Sequence, residues 1–244
     1  MYGMTGYYMD PTYILVAIGA VLCLVASARV KSAFHKYSRV RAASGMTGAE
    51  VAHRILMQNG ISDVQVRQVP GELSDHYDPS KQVVNLSQEV YAGTSIAAVS
   101  VAAHECGHVM QHQTGYLPLN IRSALVPVAN IGSKLGFPMI FIGLLLAGML
   151  RGGGEIGMFV ARIGVIAFAA GVLFQIVTLP VEFDASRRAL VMLGDYGILG
   201  TEEGGMAKSM LDAAAMTYVA AAASSILQLL RLLLIVRGNS RSRD

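Results

Sequence analysis

The sequence predicts a mostly α-helical membrane protein: three or four transmembrane helices, and a helical domain that carries a small strand pair. Three observations carry this expectation. Of 244 residues, 53% are apolar and only 14% are charged, and the mean hydropathy is positive. That balance belongs to multi-spanning membrane proteins rather than to soluble domains. Long apolar runs alternate with polar segments, and one polar segment has the turns and short alternating stretches of a folded domain. The net charge of +3 is small and scattered, so no nucleic-acid partner is expected. Cys23 lies in an apolar run and Cys106 in a helix-forming segment. No disulfide is expected between them, which suits a reducing compartment or an absence of need.

Residues 1–30 read as an N-terminal transmembrane anchor. The run "YILVAIGAVLCLVASA" (13–28) is uncharged, is flanked by Tyr7, Tyr8 and Tyr13, and needs only a few more residues to span a bilayer. "VASARV" offers small residues for signal cleavage, but the first twelve residues hold no Lys or Arg, and a cleaved signal requires a basic start. The basic residues come afterwards, at Arg29, Lys31, Lys36, Arg39 and Arg41. The positive-inside rule therefore sets the N-terminus outside and the following segment in the cytoplasm.

Residues 31–120 form the expected cytoplasmic part. Thr47 and Glu50 frame a capping box, and "AEVAHRILMQ" carries apolar residues at helical spacing until Asn59-Gly60. "DVQVRQV" (63–69) alternates as a strand does, Pro70-Gly71 and residues 75–81 supply turns, and "QVVNLS" (82–87) is the second strand. From Thr94 or Ser95 a helix runs to Gly115, with Pro118 beyond.

Residues 121–181 read as a transmembrane hairpin. Lys134 stands near the cytoplasmic end of its first arm, "RGGGE" closes the turn, and Arg162 and Gln175 sit towards the ends of the second. Long basic side chains at such places reach the interface. Residues 182–244 hold a polar segment, a last apolar run at 216–236 containing Gln228 and Arg231, and a basic tail with Arg237, Arg241 and Arg243. A fourth crossing would leave that tail outside, against the positive-inside rule. Three spans are therefore firm, and the fourth run either crosses or packs on the catalytic part. No internal repeat is visible.

The chemistry concentrates in "VAAHECGHVMQ". On a helix, residues four apart share a face, so His104 and His108 can direct both imidazoles at one point. Glu105 is turned about 100° away, out of competition as a ligand. Two neutral nitrogen ligands and one carboxylate base are what a zinc-dependent peptidase requires. The ion lowers the pKa of a water toward about 7, and the carboxylate accepts its proton. Such a five-residue match also arises by chance, so a third ligand is the deciding feature. Glu182 opens "EFDASRRA" directly after the returning membrane run, and an even number of crossings brings it to the side of the histidines. His112 lies about 12 Å from His104 along an unbroken helix and cannot share its ion.

The remaining polar residues have double readings. His35 and His53 read as juxtamembrane and helix-surface residues, whereas His76 or Tyr77 either belongs to a turn or reaches the oxyanion. Asp184 or Ser186 can accept a ligand N–H, as outer partners of zinc histidines do. Arg187 and Arg188 either anchor the helix at the interface or meet substrate.

"AAHECGHVMQHQ", "LPVEFDASRRA", "DHYDPSKQVVNLS" and "AAAMTYVAAAASSILQLLRLL" resemble the YugP-type neutral zinc metallopeptidases of bacteria, and the likeness covers nearly the whole chain. That family is similar in plan to the HtpX and CAAX-prenyl-protease groups. The resemblance implies a zincin-like helical catalytic domain, Zn2+ bound by His104, His108 and Glu182, and Glu105 as the base. It implies hydrolysis of a peptide or protein substrate, one that can itself be membrane-associated, by a multi-pass protein of the bacterial cell membrane with its site toward the cytoplasm. Ser186 departs from the Asp of the wider group, so the acceptor behind the ligands must differ. An extended substrate adding to "QVVNLS" as an edge strand is a further expectation. The rival readings are an intramembrane zinc protease and a non-catalytic zinc-binding membrane scaffold; a transporter lacks the broken-helix pair it would need. Oligomeric state is not legible.

Overall fold

The computed structural model describes residues 10–149 and 154–241. Expectations about Tyr7, Tyr8, the loop residues 151–153 and Arg243 lie outside the described residues. In chain order the elements are α1 (Tyr13–Tyr37), α2 (Gly48–Gln58), β1 (Gln65–Val69), β2 (His76–Asp78), β3 (Val83–Ser87), α3 (Gln88–Ala92), α4 (Ile96–Gln113), α5 (Leu117–Met149), α6 (Gly154–Asp195) and α7 (Thr201–Arg241). The mostly helical class is as expected, and the small strand pair is a three-stranded sheet.

Two compact units share these elements. One comprises residues 1–24, 124–176 and 220–244, the other residues 25–123 and 177–219. The helices α1, α5, α6 and α7 each contribute residues to both.

In the first unit, all four long helices are long and apolar enough to cross a membrane. Residues 220–236 of the last apolar run belong here, alongside residues 13–24 and 124–176, whereas residues 216–219 belong to the second unit. Its Arg231 is accommodated by stacking the guanidinium over the Tyr13 ring at 4.0 Å, a cation–π contact that offsets lost hydration. The α5/α6 hairpin approaches backbone to backbone. A Cβ on Gly143 would fall 2.5 Å from the Ala161 nitrogen, and one on Gly157 2.4 Å from the Ala147 nitrogen. Small residues allow such approach where apolar burial gives no advantage over lipid. Phe141, Ile156 and Ile166 point outward, more than 60% exposed, as lipid-facing residues do.

The second unit has a conventional core. Thr47 and Glu50 close the expected capping box on α2, and Val51, Ile55 and Leu56 turn its apolar stripe inward. Ser95 caps α4 by accepting from the Ala98 N–H. Val84, Leu86, Val90, Val99 and Val109 complete the interior, each fully buried. Fully burying one such side chain stabilises the fold by roughly 1.5–3 kcal/mol.

The sheet order is β1-β3-β2, with β3 parallel to β1 and antiparallel to β2. Residues 75–78 are therefore partly strand, where a turn was expected. The turn sits later: Asp78 Oδ1 accepts from the Ser80 and Lys81 N–H groups, and the chain reverses into β3. Residues 82–87 are correspondingly not an edge. β3 is central, both its sides are paired, and Val84 is fully buried. Substrate addition to β3 is thereby excluded.

Candidate metal centre

The centre forms where α4 crosses α6. Gly107 permits the crossing, since a Cβ there would stand 2.4 Å from the Ala185 carbonyl oxygen. Glycine stands between the two motif histidines because the helix carrying Glu182 lies directly against that turn. His104 and His108 project from one face of α4, their rings edge to face at 4.8 Å between centroids. Glu182 lies on α6, which continues past Pro180 as a single helix to Asp195.

The three side chains converge. Glu182 Oε2 lies 3.4 Å from His104 Nε2 and 3.7 Å from His108 Nε2, and the potential ligand atoms all fall within 4.8 Å of one another. Zinc bonds of about 2.0–2.1 Å in a tetrahedron put neighbouring ligand atoms about 3.4 Å apart. Glu182 Oε2 is moreover buried without any hydrogen-bond partner. A buried carboxylate oxygen normally finds a donor. One that lacks a donor and faces two imidazole nitrogens is the arrangement a cation completes, so these residues fit zinc.

Each histidine has a polar partner on its far side, and that of His108 fixes its tautomer. Gln111 Nε2 donates to the Val181 carbonyl at 2.7 Å and to Asp184 Oδ2 at 3.0 Å. Its oxygen must then face His108 Nδ1, 3.0 Å away, which holds the proton on Nδ1 and leaves Nε2 free. His104 Nδ1 lies 3.1 Å from Ser186 Oγ, a hydroxyl able to accept that proton as well as to donate its own. Both candidate acceptors are thus used, Ser186 directly and Asp184 through Gln111. Burial acts to lower the His108 pKa, but the carboxylates of Glu182 and Glu105 and the contact with Gln111 hold it above its ordinary value.

The other singled-out residues divide. Glu105 is buried and lines, with His104, Glu182 and Ser186, a cavity of about 170 Å³. Arg187 and Arg188 both hold Asp184, and neither lines that cavity. His76 and Tyr77 stay at the sheet. His76 spans the Ser74 carbonyl and Asn85, whereas Tyr77 hydroxyl meets His112 Nδ1 at 3.3 Å. Neither lines the cavity.

Sequence reasoning missed three residues. Gln111 stands one helical turn beyond His108, a spacing that was readable. Arg122, near the start of α5, reaches Glu182 Oε1 at 3.7 Å. Tyr218 lines the cavity and interacts with Glu182; its only signal is a phenol within an alanine-rich run.

An α4 His-Glu pair, a second His one turn on and a glutamate from a later helix define a zinc-hydrolase type of centre, here in a multi-pass membrane protein. A family model described as "Putative neutral zinc metallopeptidase" matches residues 12–237. The chain is 47% identical over 224 residues to the protein named "Putative membrane protease YugP" of Bacillus subtilis (strain 168), covering 91% of this chain and 96% of that one. No solved structure matches. The chain belongs to this family of neutral zinc metallopeptidases, as a multi-pass bacterial membrane hydrolase whose metal is zinc.

Proposed function

We propose that the protein is a membrane-anchored endopeptidase that cleaves polypeptides on the cytoplasmic side, with Glu105 as general base. The observation that carries this reading is the donorless Glu182 Oε2 facing two imidazole nitrogens beside a buried glutamate outside the ligand set. His104, His108 and Glu182 hold the zinc. When bound, zinc polarises the scissile carbonyl and acidifies the attacking water. Glu105 accepts the proton of that water on its carboxylate and delivers it to the departing amine. Gln111 keeps the His108 ligand nitrogen unprotonated, and Ser186 holds the His104 ring in line. A structural zinc site would have no use for Glu105, and such sites close with four protein ligands.

The orientation rests on Arg29, Lys31, Lys36, Arg39 and Arg41 following the first apolar run. The motif helix α4 is not among the four helices long and apolar enough to span, which supports a site outside the hydrocarbon over an intramembrane protease. Substrate addition as a strand, if the enzyme uses it, falls to β2, which has an open edge and packs on α4 through Tyr77 and His112.

The test compares wild type with Glu105→Gln, purified in detergent, on an unstructured protein such as casein. Turnover falls by about 10²–10⁴-fold while zinc content stays the same. Equal turnover would remove Glu105 from the chemistry. For orientation, single cysteines at Ser80 and Glu202 are labelled by an impermeant maleimide only in opened cells; labelling in intact cells reverses the assignment.

A further inference from the structure

We propose that the metal-site cavity continues past Leu73 into a second cavity, and that the two make one substrate groove. Leu73 divides an inner, apolar pocket for the residue beside the scissile bond from an outer, polar pocket for a residue further along the same chain. This rests on the peptidase reading above and names the substrate pattern it selects.

The cavity at the metal ligands holds about 170 Å³. Binding pockets for whole ligands run from about 300 to 1,000 Å³, so this space receives a single side chain. Beside the metal ligands, Asp75 and Tyr218, its lining is Val101, Met210, Leu211 and Ala214 among other apolar residues, which favour an apolar side chain. Beside it lies a cavity of about 360 Å³ bounded by Lys31, Phe34, His35, Glu72 and Glu89. Lys31, Glu72 and Glu89 are exposed, and among the described residues none of them enters an ion pair. Val30 and Leu73 border both spaces.

Leu73 itself is anomalous. Its φ is +53°, a left-handed conformation that is uncommon for a bulky residue, and its side chain is 58% exposed. Such a backbone is strained for a residue with a side chain and persists only where the surroundings impose it. Ser74 Oγ closes the turn around it by donating to the carbonyls of Pro70 and Gly71. Burial gives Leu73 little in return, so neither solvation nor backbone preference accounts for a leucine here. Its position on the wall between the two cavities does.

In an extended chain alternate side chains point the same way, about 7 Å apart. Two cavities that share only Val30 and Leu73 at their border therefore read residues i and i+2. The groove selects an apolar residue at the scissile bond and a polar or charged residue two positions away.

The experiment uses zinc-loaded Glu105→Gln in detergent, which retains the groove but does not consume peptide. Two fluorescent peptides are titrated, one ending at a leucine that fills the inner pocket and one extended by two residues to a lysine. Extension strengthens binding by about tenfold, and adding Leu73→Trp abolishes that gain with zinc content intact. Leu73→Gly, which relieves the left-handed backbone, instead weakens the preference for leucine over glutamine at the inner position. Equal binding of the two peptides, no binding by either, or a gain that survives Leu73→Trp overturns the groove. Casein turnover by the wild-type chain reports separately on the peptidase reading, so the two can fail independently.

Discussion

The two units of this molecule are built on opposite uses of polarity. The membrane unit joins its helices by omission: Gly143 and Gly157 remove side chains so that backbones touch, and large apolar residues face outward. The catalytic unit joins its helices around a buried polar network, in which Gln111, Asp184 and Ser186 are all less than 9% exposed and each is hydrogen-bonded. The same device, a glycine at a helix crossing, appears in both, but at Gly107 it serves to bring ligands together. A close approach in lipid gives contact; the same approach beside a carboxylate gives a metal site.

Substitutions at these crossings can break that comparison. Gly107→Ala has the largest expected effect, because its new methyl meets a backbone oxygen that cannot swing away. Overpacking of this kind costs about 1–3 kcal/mol, and here it also separates α4 from α6. Zinc per purified chain falls together with the melting temperature. Gly143→Ala is matched to it, with its Cβ 2.5 Å from a backbone nitrogen. It lowers thermal stability but leaves the zinc content of the folded fraction unchanged. If both variants lose zinc equally, the crossing at Gly107 has no special part in the site.

A smaller effect is expected at Gln111, which touches the ligand and not the metal. Gln111→Ala frees His108 to take the wrong tautomer and weakens zinc binding by about 10–100-fold, measured by competition with a chelator. An affinity unchanged within threefold would reduce Gln111 to a packing residue. The smallest effect belongs to Arg187→Ala. Its side chain is 72% exposed, and Arg188 also holds Asp184. Exposed ion pairs are screened by solvent and contribute little, so zinc affinity and stability stay near wild type; a tenfold loss would mean that Arg187 meets substrate or metal.

The parts legible in the sequence were those with local periodicity. The capping box at Thr47, the motif helix from Thr94 or Ser95 and the long apolar runs each announce themselves within a few residues. Glu182 was legible by a different route, the parity of membrane crossings between it and the histidines. β2 was not legible, because three residues are too short to alternate visibly and their pairing with β3 depends on a turn set by Asp78. The central place of β3 followed from the same omission. Tyr218 and Arg122 were hidden because an outer partner of a ligand is defined by which helix faces it, which no spacing encodes. The fourth apolar run was doubtful because the basic tail after it opposes the positive-inside rule, a rule about loops that says nothing of whether the helix itself is long and apolar enough to span.

The most direct test of the central claim, that His104, His108 and Glu182 form one zinc site, is metal analysis of wild type, Glu105→Gln and Glu182→Ala purified in parallel. The structure predicts one zinc per chain in the first two and almost none in the third, with all three folded by thermal melting. Full zinc retention in Glu182→Ala would contradict it and send the search for the third ligand elsewhere.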